Sequence, residues 1–205
     1  MIKYFALQSE EGREAARNLE RIRVLMERAG RYSHVSALSA AVAGALALAG
    51  AIVSKVLQVN YNVPARAAPL AAVWGAVLCL SILQAAAFHI AKCRRRGEPA
   101  WSHLTCQVVV AMLPALFVGA AITVYGFQTG QLDLLPPIWL LAYGSSLMGL
   151  GLYAGGRIQI VGALFMLLGA AGLWWWKEYG LRLMFAGFGG LHILLGVLLA
   201  WKPRA

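Results

Sequence analysis

Four side chains that ligate soft metals lie at the ends of two neighbouring apolar runs. His89 and Cys93 are four residues apart, and His103 and Cys106 are three apart. On a helix either spacing puts both side chains on one face, and a turn between the runs would bring the two pairs together. Imidazole and thiolate suit zinc or copper, and four such ligands complete a closed tetrahedral zinc site. His34 is expected at the same depth and adds a further donor. Against this chemistry stand Arg94, Arg95 and Arg96, whose charge repels a cation. The plainer reading, histidines and cysteines seated at a helix end, carries more weight, so no cofactor is expected.

His192 poses a different question, because it falls inside the last apolar run, about 13 Å from its inner end at 1.5 Å per residue. An ionisable residue at that depth marks a functional site by default. With Pro114, Ser145 and Ser146 it would line a transport path. The structural alternative is a neutral imidazole bonded to a neighbouring helix, with Ser81, Gln84, Thr123, Ser145 and Ser146 as candidate partners. A haem would need two histidines facing each other at similar depth, and only His192 lies deep. The apolar runs contain no Asp or Glu: Asp133, Glu178 and Glu98 all fall between them. Proton-coupled pumps and intramembrane hydrolases rely on buried carboxylates, so those classes are disfavoured. P-loop, dinucleotide-binding and nucleophile-elbow patterns are absent.

The elements that must position these residues are membrane helices. The chain of 205 residues is 60% hydrophobic and 13% charged, where a soluble domain has about 25% charge. About 20 apolar residues cross a hydrocarbon core of about 30 Å. Six runs meet that length: 34–57, 68–91, 104–127, 137–155, 158–176 and 181–201. Pro64 and Pro69 bracket the first turn, Gly97 and Pro99 the second, and Pro136 with Pro137 starts the fourth helix, where a missing N–H does no harm. Gly155 and Gly156 make the fourth connection tight. Three cysteines, Cys79, Cys93 and Cys106, all in or beside the runs, do not form a disulfide framework.

Charge sets the expected orientation. The net charge of +10 reads as topology rather than nucleic-acid binding, because Lys and Arg accumulate in cytoplasmic loops. The N-terminal segment, the second-to-third loop (Lys92, Arg94, Arg95, Arg96) and Arg157, Lys202 and Arg204 fall on one side; only Lys55, Arg66, Lys177 and Arg182 fall on the other. Both termini are therefore expected in the cytoplasm. The first thirty residues are charged throughout and lack the apolar core of a secretory signal. Trp139 and Trp174 to Trp176 are expected at the outer interface, with Trp101 and Trp201 at the inner one.

Small residues should bring the helices together, since lipid gives apolar helices no hydrophobic reason to associate. Gly151-xxx-Gly155, Ala186-xxx-Gly190 and Ala40-xxx-Gly44 have that spacing, with Gly50 further along the first run. Pro114 is expected to kink the third helix; a break there would expose carbonyls, as in secondary transporters. A division into two halves of three spans would make an inverted repeat. Residues 42–51 (VAGALALAGA) resemble 161–170 (VGALFMLLGA) through composition as readily as through ancestry.

Residues 1–33 form the one substantial segment outside the runs; 202–205 are a short tail. Over 9–31 apolar residues recur at Ala15, Leu19, Ile22, Met26 and Ala29, a heptad seam on a helix that Ser9 caps. Arg17, Arg21 and Arg28 lie along its polar face. Such a helix lies on the inner leaflet near anionic lipid, pairs with its copy in a homo-oligomer, or docks a cytosolic partner; the lipid reading leads.

The strings GFGGLHILLG (187–196), PPIWLLAYG (136–144) and VLMERAGRY (24–32) resemble a group of uncharacterised bacterial inner-membrane proteins with a charged N-terminal helix and six spans. That resemblance implies fold and compartment and no activity. The expectation is an all-α integral protein of the bacterial inner membrane, with six transmembrane helices, both termini cytoplasmic and a cytoplasmic amphipathic helix in front. The expected role is a non-enzymatic sensor, regulator or scaffold. A small transporter or channel comes second, and a metal- or haem-bearing redox protein third.

Overall fold

The computed structural model describes residues 35–57, 67–175 and 179–201, together with Asn18. The expected amphipathic helix, with Arg17, Leu19, Arg21, Ile22, Met26 and Arg28, lies outside the described residues, as do His34, Pro64, Trp176 and 202–205.

The described residues form six helices: α1 Ala37–Val56, α2 Ala67–Arg96, α3 His103–Thr129, α4 Leu135–Ala154, α5 Gly156–Trp174 and α6 Gly180–Ala200. Each is long and apolar enough to cross a membrane. The chain is thus an all-α protein built for a bilayer, where only helices and closed barrels satisfy every backbone polar group.

Local chemistry sets the helix ends. Ser36 and Ser102 cap α1 and α3, each side-chain oxygen accepting from a backbone N–H three residues on (Ser39, 3.3 Å; Thr105, 3.2 Å). A 3-10 turn, Leu132–Leu134, leads into α4, whose first turn holds Pro136 and Pro137. The α2 helix runs on to Arg96, past the expected end at 91, and stops where Gly97 takes a left-handed φ of 66°. Gly155, at φ 110°, makes the turn between α4 and α5. Its N–H donates to Gly151 O at 2.8 Å and its own carbonyl accepts from Ile158 N at 3.1 Å.

The α4–α5 hairpin holds the tightest seam. A Cβ on Gly144 would sit 2.7 Å from Gly162 O, and one on Gly162 would sit 2.9 Å from Gly144 O. Seven residues further along each helix, Gly151 meets Gln159 and Gly169 meets the Pro137 carbonyl. The seam therefore uses glycines seven apart, Gly144 with Gly151 and Gly162 with Gly169. Gly155 of the expected Gly151-xxx-Gly155 pair shapes the turn instead, and Gly190 of the expected Ala186-xxx-Gly190 pair faces open space.

Helix α6 is laid antiparallel on α1: Gly44 meets Ile193 and the Gly189 carbonyl, and Gly196 meets the Ala37 carbonyl and Ala41. Helix α3 lies on α4, with Gly149 against the Ala111 carbonyl and Gly119 against Trp139 and Ala142. Helix α2 packs on α1, where Gly50 admits Val77. Across that contact Ser39 Oγ donates to Gln84 Oε1 (3.1 Å) and Gln84 Nε2 donates to Ser39 O (3.2 Å). At one end, Leu70, Leu132, Leu135 and Met184 gather in a cluster joined by Trp74, Phe127, Trp139 and Phe188. Arg157 ties the start of α5 to the end of α6, its Nη1 donating to Leu198 O (2.9 Å) and Trp201 O (2.6 Å). A cation there satisfies terminal carbonyls and complements the negative end of the helix dipole.

Trp101, Trp174, Trp175 and Trp201 are exposed. Trp139 differs in its contacts. It is half-buried, and its Nε1 donates to Thr123 Oγ1 at 2.8 Å, which itself donates to Gly119 O.

Candidate functional site

The last helix departs from regular geometry in its middle. One α-turn, Gly180–Met184, leads into a π-helical stretch, Phe185–Leu191, and α-helix resumes at His192. π-helical turns are rare and concentrate at functional sites. Glycine makes this one packable: a Cβ on Gly187 would overlap Leu140, and one on Gly189 would overlap Leu48. The wider turn places Phe188 and His192 together beside α4 and α5.

His192 is buried there, only 7% exposed. Its Nε2 lies 2.8 Å from the Tyr143 hydroxyl. Nδ1 makes no hydrogen bond of standard geometry, although the Phe188 backbone lies close enough to interact with it. Rings of Tyr143, Phe165 and Phe188 close around the imidazole with centroids 5.0, 5.3 and 5.9 Å away. The three aromatic rings also touch one another, at 5.1 to 5.5 Å. Helices α4, α5 and α6 thus meet in a filled aromatic cluster with one polar pair at its heart. Chemically the pair can share or pass one proton; a substrate would have to displace a ring to reach it.

The imidazole was expected to bond Ser or Thr, and its partner is a tyrosine instead. Four of the five candidate partners have side chains engaged elsewhere. Gln84 serves Ser39 and also donates to Ser81 O at 3.1 Å. Thr123 serves Gly119 and Trp139. Ser145 donates back to Leu141 O, four residues earlier in its own helix (2.9 Å). Ser146 Oγ is fully buried and lies 3.1 Å from both Met112 O and Ala142 O, so its one proton is shared between them. Pro114 follows Met112 by two residues within an unbroken helical stretch, so α3 is not split into two half-helices. The four residues of the expected path therefore fall into separate places: Pro114 within α3, Ser146 on the Met112 and Ala142 carbonyls, Ser145 on its own helix, His192 on Tyr143.

Tyr143 escaped the sequence reading, yet it carried a signal. It is the ninth residue of a 20-residue helix, far from the interfaces where membrane tyrosines concentrate. A mid-span Tyr and a mid-span His are natural partners, since each buries a polar atom that lipid cannot satisfy.

At the other expected site the structure brings His89 and Cys93 together, Sγ 3.7 Å from Nε2. The same Nε2 lies 2.8 Å from the Ala100 carbonyl. A carbonyl can only accept, so Nε2 carries the proton and the ring's lone pair is on Nδ1, 4.0 Å from Cys93 Sγ. His103 is exposed at the first residue of α3 and Cys106 is half-buried. Among the described residues, no three His, Cys, Asp or Glu gather closely enough to hold a metal ion.

No family model, curated protein or solved structure matches this chain.

Proposed function

We propose that this multi-pass membrane protein is a non-enzymatic regulator of a bacterial cytoplasmic membrane, with both termini inside, whose sensing element is its last span. The observation that carries the reading is the His192–Tyr143 pair, sealed by aromatic rings beside the π-helical stretch of α6. Polar groups that line a transport route need water or substrate within reach; here the polar pair is wrapped in packed rings. Packed membrane cores adopt discrete arrangements rather than deforming continuously. An irregular helical stretch and a buried hydrogen bond that is costly to leave unmade separate the arrangements open to α6 by a definite energy step.

Changes in lipid, a small apolar ligand or a membrane partner would shift α6 between arrangements. Helix α1 follows, because Gly44 is packed on Gly189 and Ile193, and Ala37 and Ala41 on Gly196, at and beyond the π-helical stretch. Residues 9–31 precede α1 in the chain and would carry the change outward by binding or leaving the inner leaflet.

The test is a fluorophore attached to Asn18→Cys in a protein whose three native cysteines are replaced, reconstituted in nanodiscs of different thickness. Emission that shifts with thickness in this protein, and no longer shifts after His192→Phe, is the expected result. A shift that survives His192→Phe would remove the sensing role from the pair. Solute flux in proteoliposomes that disappears with His192→Ala would put the transporter reading in its place.

A further inference from the structure

The hairpin between α2 and α3 is held rigid by three local devices. At the end of α2, Gly97 N donates to Arg94 O (3.2 Å) and Glu98 N donates to Cys93 O (3.0 Å), a Schellman closure around the left-handed Gly97. His89 reaches across from the last turns of α2 and donates to Ala100 O at 2.8 Å. Ser102 then caps α3. Six residues that join two apolar helices are thereby fixed on both sides.

What this hairpin presents is exposed positive charge and an exposed indole. The Cys93 and Arg94 carbonyls are satisfied by backbone N–H groups, so arginine side chains are not required to cap them. Lys92 Nζ donates to Val35 O at 3.5 Å, and Arg96 and Glu98 are also engaged. Arg94 and Arg95 are exposed, and no carboxylate pairs with either among the described residues. Trp101, at the other end of the connection, is 71% exposed. Ahead of Lys92 the uncharged part of α2 is about 37 Å long at 1.5 Å per residue, against a hydrocarbon core of about 30 Å. Centred on that core, α2 would set Arg94 and Arg95 at the level of the lipid headgroups.

We infer that this hairpin is a binding site for the headgroup phosphate of an anionic phospholipid. The guanidinium forks of Arg94 and Arg95 match phosphate oxygens two at a time, and the Trp101 indole rests at the boundary between headgroup and chain. His89 acts as a positioning residue, through its bond to the Ala100 carbonyl. The site does not depend on the regulatory reading of α6.

Native mass spectrometry of the full chain in mild detergent tests it, with phosphatidylglycerol and phosphatidylcholine of identical acyl chains as probes. The wild type should retain phosphatidylglycerol preferentially. Loss of two interfacial arginines in R94Q/R95Q should weaken that retention about 30-fold, leaving it near the level of phosphatidylcholine. R94K/R95K keeps the charge but loses the fork and should fall between. His192→Phe, remote from the hairpin, should bind as the wild type does, which separates this site from the fate of the sensing model. Undiminished retention in R94Q/R95Q at an unchanged melting temperature, or equal retention of both lipids by the wild type, would overturn the assignment. His89→Phe adds a check on positioning: retention should drop while both arginines remain.

Discussion

Helices α3 and α4 lie against each other and follow opposite rules. The α3 stretch is the most apolar of the six, yet only 11% of it is buried within the protein. The stretch Leu132–Ala154, containing α4, is the least apolar, and 56% of it is buried. In water this ordering would be reversed. In lipid, apolar surface has nothing to gain by leaving the solvent, so what goes inside is whatever packs closest or needs a polar partner. Helix α4 supplies both, through Gly144, Gly151, Ser146 and Tyr143. Helix α3 offers long apolar side chains such as Leu113, Phe117 and Val118 to the surroundings. Helix α2 behaves as α3 does, with 6% of its apolar stretch buried.

The comparison predicts that glycines of equal sequence character differ sharply in tolerance. Gly144→Ala should have the largest effect, because its Cβ meets the Gly162 carbonyl, a backbone atom that cannot swing aside. Overpacking of this kind costs about 1–3 kcal/mol, measured as a lower melting temperature in detergent or nanodiscs. Gly75→Ala, in α2, meets nothing within 4 Å and should be neutral or stabilising, by up to about 1 kcal/mol from the lost backbone freedom. Equal destabilisation by the two substitutions would break the distinction.

Next in size is Tyr143→Phe. It removes the hydroxyl and leaves His192 Nε2 buried without its partner, at a cost of about 1–3 kcal/mol. Tyr143→Phe with His192→Phe removes both polar ends and should recover most of that loss; a double-mutant cycle reads the coupling. Additive losses would mean that the pair is not a bonded unit.

Gln84→Leu, on the sparsely packed α2, should cost about 0.6 kcal/mol, the usual worth of a hydrogen bond between membrane helices. Smallest of all, Phe117→Ala on the exposed face of α3 should change stability by less than about 0.5 kcal/mol. A larger loss in the reconstituted protein would place a second copy or a partner against that face.

How much of this was legible follows from what each signal encodes. The spans were readable because twenty uncharged residues in a row have one physical home, and the breaks were readable because Pro and Gly act locally. Gly155 and the paired prolines of α4 could be placed without any knowledge of the neighbours. The candidate site was legible only in part. His192 stood out as an ionisable residue within an apolar run, but its partner did not, since several helices carry mid-span polar residues and Tyr143 was one among them. The seam of Gly144, Gly151, Gly162 and Gly169 was hidden by the shorter four-residue spacings that surround it. The Phe185–Leu191 stretch has no signature beyond its glycines, because π-helical geometry is imposed by what packs on both sides of it.

From residue order alone came six runs long and apolar enough to cross a membrane, and their approximate ends. All of these depend on chain-local quantities: transfer energy, helix rise and turn chemistry. Only the tertiary structure decided which faces meet, that Tyr143 rather than a serine satisfies His192, that Trp139 turns inward to Thr123, and that His89 holds a loop carbonyl. Hydropathy separates water from lipid, but lipid and protein interior are nearly alike to an apolar side chain. The choice between them falls to shape and to unpaired hydrogen-bonding groups, and those are properties of two surfaces in contact.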